Sequence, residues 1–135
     1  MIWKLGVAVI ASGILASFTD WLFMGVLFHD AYHRYPEIWW PGLHVKAADS
    51  RAIAISSGLS FITMAAMIGL IDLAGVRSIE GALIVAVLAW AAGPLVMQVT
   101  NGFWIKTDPR ITFAHSLGYL ARFLLAGLAA GIALR

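Results

Sequence analysis

Four long apolar segments, separated by three more polar connections, dominate the pattern of hydrophobic and polar positions along this chain. The segments cover residues 2–28, 53–74, 81–100 and 111–134. A helix needs about 20 residues to cross a hydrocarbon core of about 30 Å, and each segment is that long. We therefore predict an all-α membrane protein, a bundle of four transmembrane helices that forms a single integral membrane domain over residues 1–135.

The three connections differ in length and composition. The second, AGVRSIE, is a tight turn, and the third, NGFWIKTDPR, is short. The first connection, residues 29–52, is long and contains Tyr32, Tyr35, Trp39 and Trp40. Aromatic side chains with a polar edge favour the membrane interface, so we expect this connection to lie along the bilayer surface.

Small residues and one proline predict local helix geometry. Gly13 and Ser17 are four residues apart, as are Gly127 and Gly131. Small residues at this spacing allow helix backbones to approach closely, although glycine is also frequent in membrane helices without such a role. Pro94 lies inside the third segment, where it predicts a kink.

The composition supports a membrane location. Hydrophobic residues make up 61% of the chain and charged residues 12%, whereas soluble domains contain roughly 45–50% and about 25%. The formal charge of +2 is scattered, which argues against nucleic acid as a partner. The chain contains no cysteine, so disulfides, thiolate metal ligands and cysteine nucleophiles are excluded.

Lysine and arginine residues near the helix ends predict the orientation in the membrane. The side that holds the first and third connections has five of them, and the opposite side has three. The five are Arg34, Lys46, Arg51, Lys106 and Arg110, and the three are Lys4, Arg77 and Arg135. This excess favours a cytoplasmic long connection, with both termini outside.

Each predicted helix carries polar or small residues at steps of three and four, which place them on one face. In chain order these are Gly13, Ser17, Asp20 and Met24; Ser56, Ser60, Thr63 and Met67; Trp90, Pro94, Met97 and Asn101, with Gln98 beside them; and His115, Tyr119, Arg122 and Ala126. We expect the four faces to pack together. Because most polar positions lie nearer the long connection, we also expect a polar cavity open on that side.

Asp20 and Arg122 lie deep in the predicted bilayer. At about 1.5 Å per residue, Asp20 is about 13 Å from His29 and Arg122 about 18 Å from Arg110. A charge near the bilayer centre costs about 3 kcal/mol or more, so similar depth and opposite charge predict an ion pair. The pair is either a structural clasp or the floor of a ligand site.

The candidate ligand-binding residues surround this predicted pair. They are Asp20, Trp21, Ser60, Gln98, Asn101, His115, Tyr119 and Arg122. Such a lining favours a non-enzymatic protein that binds a small amphiphile or a lipid headgroup, or an accessory subunit. One alternative is a small proton-coupled transporter in which Asp20 titrates. Another is a membrane enzyme that uses His115 and Tyr119 as acid and base on a lipophilic substrate.

Histidines offer a further alternative. His29 and His33 are four residues apart and would share a helix face, so they are candidate metal ligands. Asp30 and His44 are near in sequence, but the spacing lacks the glutamate of a zinc protease motif. The plainer explanation is that histidine is common at membrane boundaries. No second histidine matches the depth of His115, which argues against haem, and we predict no cofactor and no metal.

The stretch DWLFMGVLFHDAYHRYPEIWW resembles a domain-of-unknown-function family of small bacterial four-helix integral membrane proteins. In that family the first helix ends in a similar aromatic-rich pattern, followed by a loop with tryptophan. The resemblance covers the first helix and the first connection and implies a four-helix bundle without an established activity. We expect the bacterial inner membrane, with membrane lipid or a small lipophilic ligand as partner, and a homo-oligomer or larger membrane complex.

Drug exporters of the small multidrug-resistance type also have four helices and one acid in the first helix, which Asp20 resembles. This chain departs from them, because its acid is an aspartate that lies late in the helix. Arg122 would also neutralise that acid. This second resemblance therefore ranks below the first.

Overall fold

The computed structural model describes residues 2–40 and 46–135, without the side chains of residues 46–49. Four helices in this part of the chain are long and apolar enough to cross a membrane: Ile2–Leu27, Ser50–Leu73, Ile79–Trp104 and Pro109–Ala133. We call them the first to fourth membrane helices. The described residues contain no strand, so the protein is the all-α four-helix membrane bundle that its sequence predicts.

The helix ends extend beyond several predicted bounds. The second membrane helix is part of a longer helix, Lys46–Leu73, whose first turns are rich in alanine, a strong helix former. The third continues past residue 100 to Trp104. The fourth begins at Pro109, where the side chain of Asp108 caps it by accepting a hydrogen bond from the backbone N–H of Arg110. Aspartate before a proline in the first turn is a favourable helix start.

The fourth membrane helix is the centre of the bundle, because it packs against each of the other three. Of its spanning window, 44% of residues are buried, against 22% or less in the others. The second and third membrane helices meet much less extensively. Any site inside the bundle is therefore built around the fourth helix.

Glycines allow the close packing of the fourth helix on the third. A Cβ atom at Gly127 would lie 2.9 Å from the carbonyl oxygen of Ala82, and one at Gly131 would lie 2.7 Å from Cα of Ile79. Real Cβ atoms do not approach that closely. The predicted packing role of the Gly127 and Gly131 pair is therefore confirmed.

The first helix packs on the second in a similar way. Gly13 is buried, and a Cβ atom there would collide with the aromatic ring of Phe61. Ser17 donates a hydrogen bond to the carbonyl of Gly13 within its own helix. Gly13 thus provides the space that the spacing predicts, whereas Ser17 satisfies its hydroxyl locally.

Two π-helical stretches interrupt the membrane helices. Ala91–Leu95 contains Pro94, which lacks the N–H that a regular turn requires, so this stretch lies where the sequence predicts a kink. Trp21–Leu27 follows directly after Asp20 and has no proline, so the sequence pattern does not predict it. Such wide turns change which residues face a neighbouring helix downstream, and they are frequent at functional sites.

Candidate functional site

An ion pair between Asp20 of the first membrane helix and Arg122 of the fourth lies inside the bundle. Oδ2 of Asp20 accepts a hydrogen bond from Nη2 of Arg122 and a second, at 3.3 Å, from Oγ of Ser60 in the second helix. The side chain of Arg122 is 8% exposed and that of Asp20 17%. The predicted pair is confirmed, and it joins three helices.

Aromatic side chains support the arginine from the fourth and third helices. The guanidinium of Arg122 lies over the ring of Tyr119, 4.9 Å from its centroid, which is a cation–π geometry. Nε1 of Trp90 donates a hydrogen bond of 2.9 Å to the carbonyl oxygen of Ser116. These contacts hold the middle of the third helix against the part of the fourth that carries the arginine.

Two atoms of the ion pair keep unused hydrogen-bonding capacity. Oδ1 of Asp20 and Nε of Arg122 are buried and have no hydrogen-bond partner among the described residues. Gly118 faces the same carboxylate, because a Cβ atom there would lie 3.7 Å from Oδ1 of Asp20 and 3.5 Å from Cε of Met24. An unpaired buried polar group costs about 1–3 kcal/mol, and more when it is charged. A polar group that paired with both atoms would therefore be bound favourably.

Tyr32 of the first connection covers this side of the bundle. Its hydroxyl lies 2.9 Å from Nε2 of His115, and its backbone carbonyl accepts a 2.8 Å hydrogen bond from Nε1 of Trp39. The rings of Tyr32 and Trp39 are 5.6 Å apart between centroids. Burial, with a smaller contribution from the charge of Asp20, raises the pKa of Tyr32 to about 12. The hydroxyl is therefore neutral at physiological pH, and we call Tyr32 and Trp39 the aromatic cap.

Ion pairs attach the first connection to the third. Asp108, which is 1% exposed, pairs with Arg34 and with Arg110, each at 3.0 Å. Hydrogen bonds from Arg110, and also from Arg34, hold the pKa of Asp108 well below its usual range. Nζ of Lys106 lies 2.7 Å from Oε1 of Glu37. These contacts fix the connection that carries the aromatic cap across the end of the bundle.

The structure brings four of the predicted site residues into one cluster: Asp20, Ser60, Tyr119 and Arg122. His115 lies one helical turn before Tyr119 and contacts the aromatic cap. Ser60 is fully buried and Arg122 is 7% exposed. The described residues thus form a packed cluster with two buried, unpaired hydrogen-bonding atoms at the place where we expected a polar cavity.

Among the described residues, no hydrogen bond or ion pair joins the other three predicted site residues to this cluster. Trp21 is 57% exposed, Asn101 is exposed and Gln98 is half-buried. Met97 is also exposed, so the expected inward face of the third helix is wrong beyond Pro94. The π-helical stretch around that proline changes the facing of the residues that follow it, which a count of three and four residues does not anticipate.

The second helix also follows its predicted face only in part. Ser60 and Met67 are buried and Thr63 is half-buried, as expected, but Ser56 is exposed. Residues 53–55 and 58–59, which flank Ser56, are exposed as well.

Tyr32 is the functional candidate that the sequence pattern missed. Its position in an aromatic connection predicts an interfacial residue, not a contact with a membrane helix. A signal was present nonetheless, because His115 lies only about 8 Å from the start of the fourth helix by the rise per residue. A residue at that depth is within reach of a connection that folds over the helix ends.

The described residues form an open groove of about 490 Å³ elsewhere in the molecule. It lies between the first and fourth helices, from Trp3 to Leu15 on one side and from Leu125 to Ala133 on the other. Its lining is apolar apart from Lys4 and Ser12, and it belongs to the half of the bundle that holds both termini. This groove is therefore distinct from the polar cluster.

The histidine pair of the first connection lies on the outer surface. His29–His33 forms a short 3-10 helix, and Nε2 of His29 lies 3.3 Å from Nε2 of His33. No group of three or more histidine, aspartate or glutamate residues in the described part of the chain is arranged to hold a metal ion. His44 lies outside the described residues.

Comparison with known proteins finds no matching family model, no matching curated protein and no matching solved structure.

Proposed function

We propose that this protein binds, without catalysis, the polar end of a small amphiphile or lipid at the Asp20–Arg122 pair. The observation that supports this is the unused hydrogen-bonding capacity of Oδ1 of Asp20 and Nε of Arg122. The first accepts and the second donates, so together they fit a ligand with a donor beside an acceptor. A hydroxyl or amine next to a phosphate or carboxylate has this chemistry, and hydrogen bonds to charged groups are the strong ones.

The position of the pair favours a ligand that comes from the bilayer. Asp20 and Arg122 lie about 13–18 Å from the helix ends on the side of the long connection. The aromatic cap covers the cluster on that side, while the side chain of Asp20 keeps 17% exposure. Large apolar side chains are exposed on every membrane helix, so lipid surrounds the bundle. An amphiphile would place its polar end at the pair and its apolar part among these surfaces.

Native mass spectrometry from a mild detergent tests the proposal. The wild-type protein should retain one amphiphile. The double variant Asp20→Asn with Arg122→Gln should lose it, because the groups that carry both unpaired atoms are changed. No unpaired charge remains in this variant. The matched control is Asp72→Asn with Arg77→Gln, which removes a partly exposed ion pair at the opposite end of the bundle and should keep the ligand. A bound water could satisfy the same two atoms, so a wild type with no retained amphiphile contradicts the proposal. Equal retention by the double variant contradicts it as well.

A proton-coupled transporter is the second candidate. The contact between Tyr32 and His115 favours it, because a hydroxyl and an imidazole within hydrogen-bond distance lead from the first connection towards the cluster around Asp20. In this case proteoliposomes should show a proton flux that depends on a second solute and disappears in Asp20→Asn. Absence of flux with retention of an amphiphile would favour binding over transport.

We further infer a bacterial inner-membrane location and an assembly with a second copy or a larger membrane complex. The resemblance of residues 20–40 to a domain-of-unknown-function family of small bacterial membrane proteins supports the location. The exposed apolar surfaces of all four helices are available to another subunit as well as to lipid. Masses of the intact complex in the same native spectra measure the number of copies.

A further inference from the structure

The short helix His29–His33 presents its two histidines away from the bundle. Both residues are exposed, and their ring centroids are 5.0 Å apart with the planes at 76°. Nε2 of His29 lies 3.3 Å from Nε2 of His33. Two imidazole nitrogens this close share either a proton or a bound metal ion, because a neutral nitrogen without its proton is a metal ligand.

The distance between these nitrogens fits one metal geometry well. Zinc binds imidazole nitrogen at about 2.0–2.1 Å and prefers tetrahedral angles, which places two bound nitrogens about 3.3–3.4 Å apart. The observed separation is 3.3 Å, so the two nitrogens already have the spacing of two ligands of one zinc ion. We propose that His29 and His33 bind one zinc ion through their Nε2 atoms.

The charges around the pair are compatible with a cation. Asp30 lies between the two histidines in sequence and is exposed, so its negative charge favours a cation nearby. Arg34 follows the pair, but its guanidinium is engaged by Asp108 at 3.0 Å. Arg110 is close enough to Asp30 to interact with it electrostatically and is also paired with Asp108 at 3.0 Å. The formal charges of Asp30, Asp108, Arg34 and Arg110 therefore balance and do not repel a divalent ion.

The zinc site would act on the aromatic cap, because Tyr32 belongs to the same short helix. The histidines point outward while the Tyr32 hydroxyl reaches inward to His115. An ion that joins the two ends of this helix would fix the turn from which Tyr32 projects. Zinc would thus stabilise the cap over the polar cluster, and the site itself does not depend on whether that cluster binds an amphiphile.

Zinc titration of the full chain tests the site. The protein should carry an affinity tag without histidines, be purified in mild detergent and be freed of metal with a chelator. Isothermal titration calorimetry should show one zinc ion per wild-type chain, and the melting temperature should rise with zinc and fall again when chelator is added. His29→Gln and His33→Gln should each lose both effects. Glutamine keeps a polar side chain at these exposed positions, so folding without zinc should be unchanged.

The matched control is Glu80→Gln, which removes an exposed carboxylate at the opposite end of the bundle and should keep wild-type zinc binding. Binding that survives in both His29→Gln and His33→Gln would overturn the assignment, as would equal loss in Glu80→Gln. A wild type without zinc binding at micromolar concentrations would overturn it too. If one of the two variants fails to fold, the other decides the outcome.

Discussion

Asp20 is the residue that connects most parts of the polar interior. Its carboxylate pairs with Arg122 of the fourth helix, accepts a hydrogen bond from Ser60 of the second, and contributes to the raised pKa of Tyr32 in the first connection. A lone charge at this depth is costly, and the geometry compensates it with an opposite charge. Both the stability of the bundle and the proposed site therefore depend on one ion pair.

Neutralising one member of the ion pair should destabilise the protein more than neutralising both. Asp20→Asn or Arg122→Gln leaves one buried charge without its partner, which costs roughly 3–5 kcal/mol in buried pairs. The double variant leaves no such charge, so its loss should be much smaller than the sum of the single losses. Reversible unfolding in detergent measures the four free energies. Additive losses would mean that the two side chains do not interact in the folded protein.

Tyr32→Phe should remove a titration with a pKa of about 12 from the near-ultraviolet absorbance of the protein. Burial favours the neutral phenol in the folded state, whereas an unfolded tyrosine has a pKa of about 10. The stability that Tyr32 contributes is therefore present below about pH 10 and is lost as the pH rises towards 12. Across this pH range, the melting temperature should fall more steeply with pH for the wild type than for Tyr32→Phe. Parallel curves would contradict the burial of this hydroxyl.

Residue spacing alone predicts the Asp20–Arg122 pair but not the complete site. The pair follows from depth, because the rise of a regular helix is fixed and both residues can be counted from the helix ends. Tyr32 could not be placed, because the path of an irregular connection depends on contacts such as Arg34 with Asp108. Asn101 was misplaced because the π-helical stretch before it depends on how Pro94 is accommodated.

At the scale of the elements, the start of the fourth helix organises the surface of the bundle. Asp108 caps that helix and pairs with Arg34, so one buried carboxylate fixes both a helix end and the first connection. Glycines of the same helix let the third helix approach at the other end. The central position of the fourth helix thus depends on specific contacts at both of its ends.

Asp108→Ala should destabilise the protein more than Asp108→Asn. Asparagine can still cap the helix, whereas alanine loses the cap at a further cost of about 1 kcal/mol. Because the hydrogen bonds from Arg110 and Arg34 lower the pKa of Asp108, its contribution is present above about pH 4 and is lost as the pH falls below that. Denaturation at neutral and acidic pH measures both effects. Glu37→Gln, which changes an exposed ion pair, is the control and should change stability little.

Gly131→Ala should weaken the packing of the third helix on the fourth. The new Cβ would meet the backbone of Ile79 at 2.7 Å, and overpacking of this kind typically costs about 1–3 kcal/mol. Gly69→Ala is the matched control, because a Cβ there meets nothing within 4 Å. Thermal melting should place Gly131→Ala below the wild type and Gly69→Ala at or above it. If both variants melt like the wild type, the close approach at Ile79 is not formed.

At the scale of the whole molecule, the number of spans follows directly from hydropathy. The core of a bilayer contains no water that could bind backbone N–H and C=O groups. An apolar segment of this length therefore crosses it as a helix, which pairs these groups internally. The third helix nevertheless extends to Trp104, because the residues before Ile105 remain compatible with a helix after the apolar window ends. The number of helices can therefore be predicted from the sequence. The helix ends, and the side of each helix that faces the bundle, depend on how the helices pack.

Four spans place both ends of the chain on one side of the membrane, and cysteine labelling can test this. The natural chain has no cysteine, so each introduced thiol gives a single signal. Glu80→Cys and a cysteine added after Arg135 should react with an impermeant maleimide from the outside, because lysine and arginine are fewer on that side. Glu37→Cys and Thr107→Cys should react only after the membrane is opened. Reversed labelling of all four positions would overturn the orientation alone, whereas equal labelling of Glu37→Cys and the added cysteine would overturn the four-span topology itself.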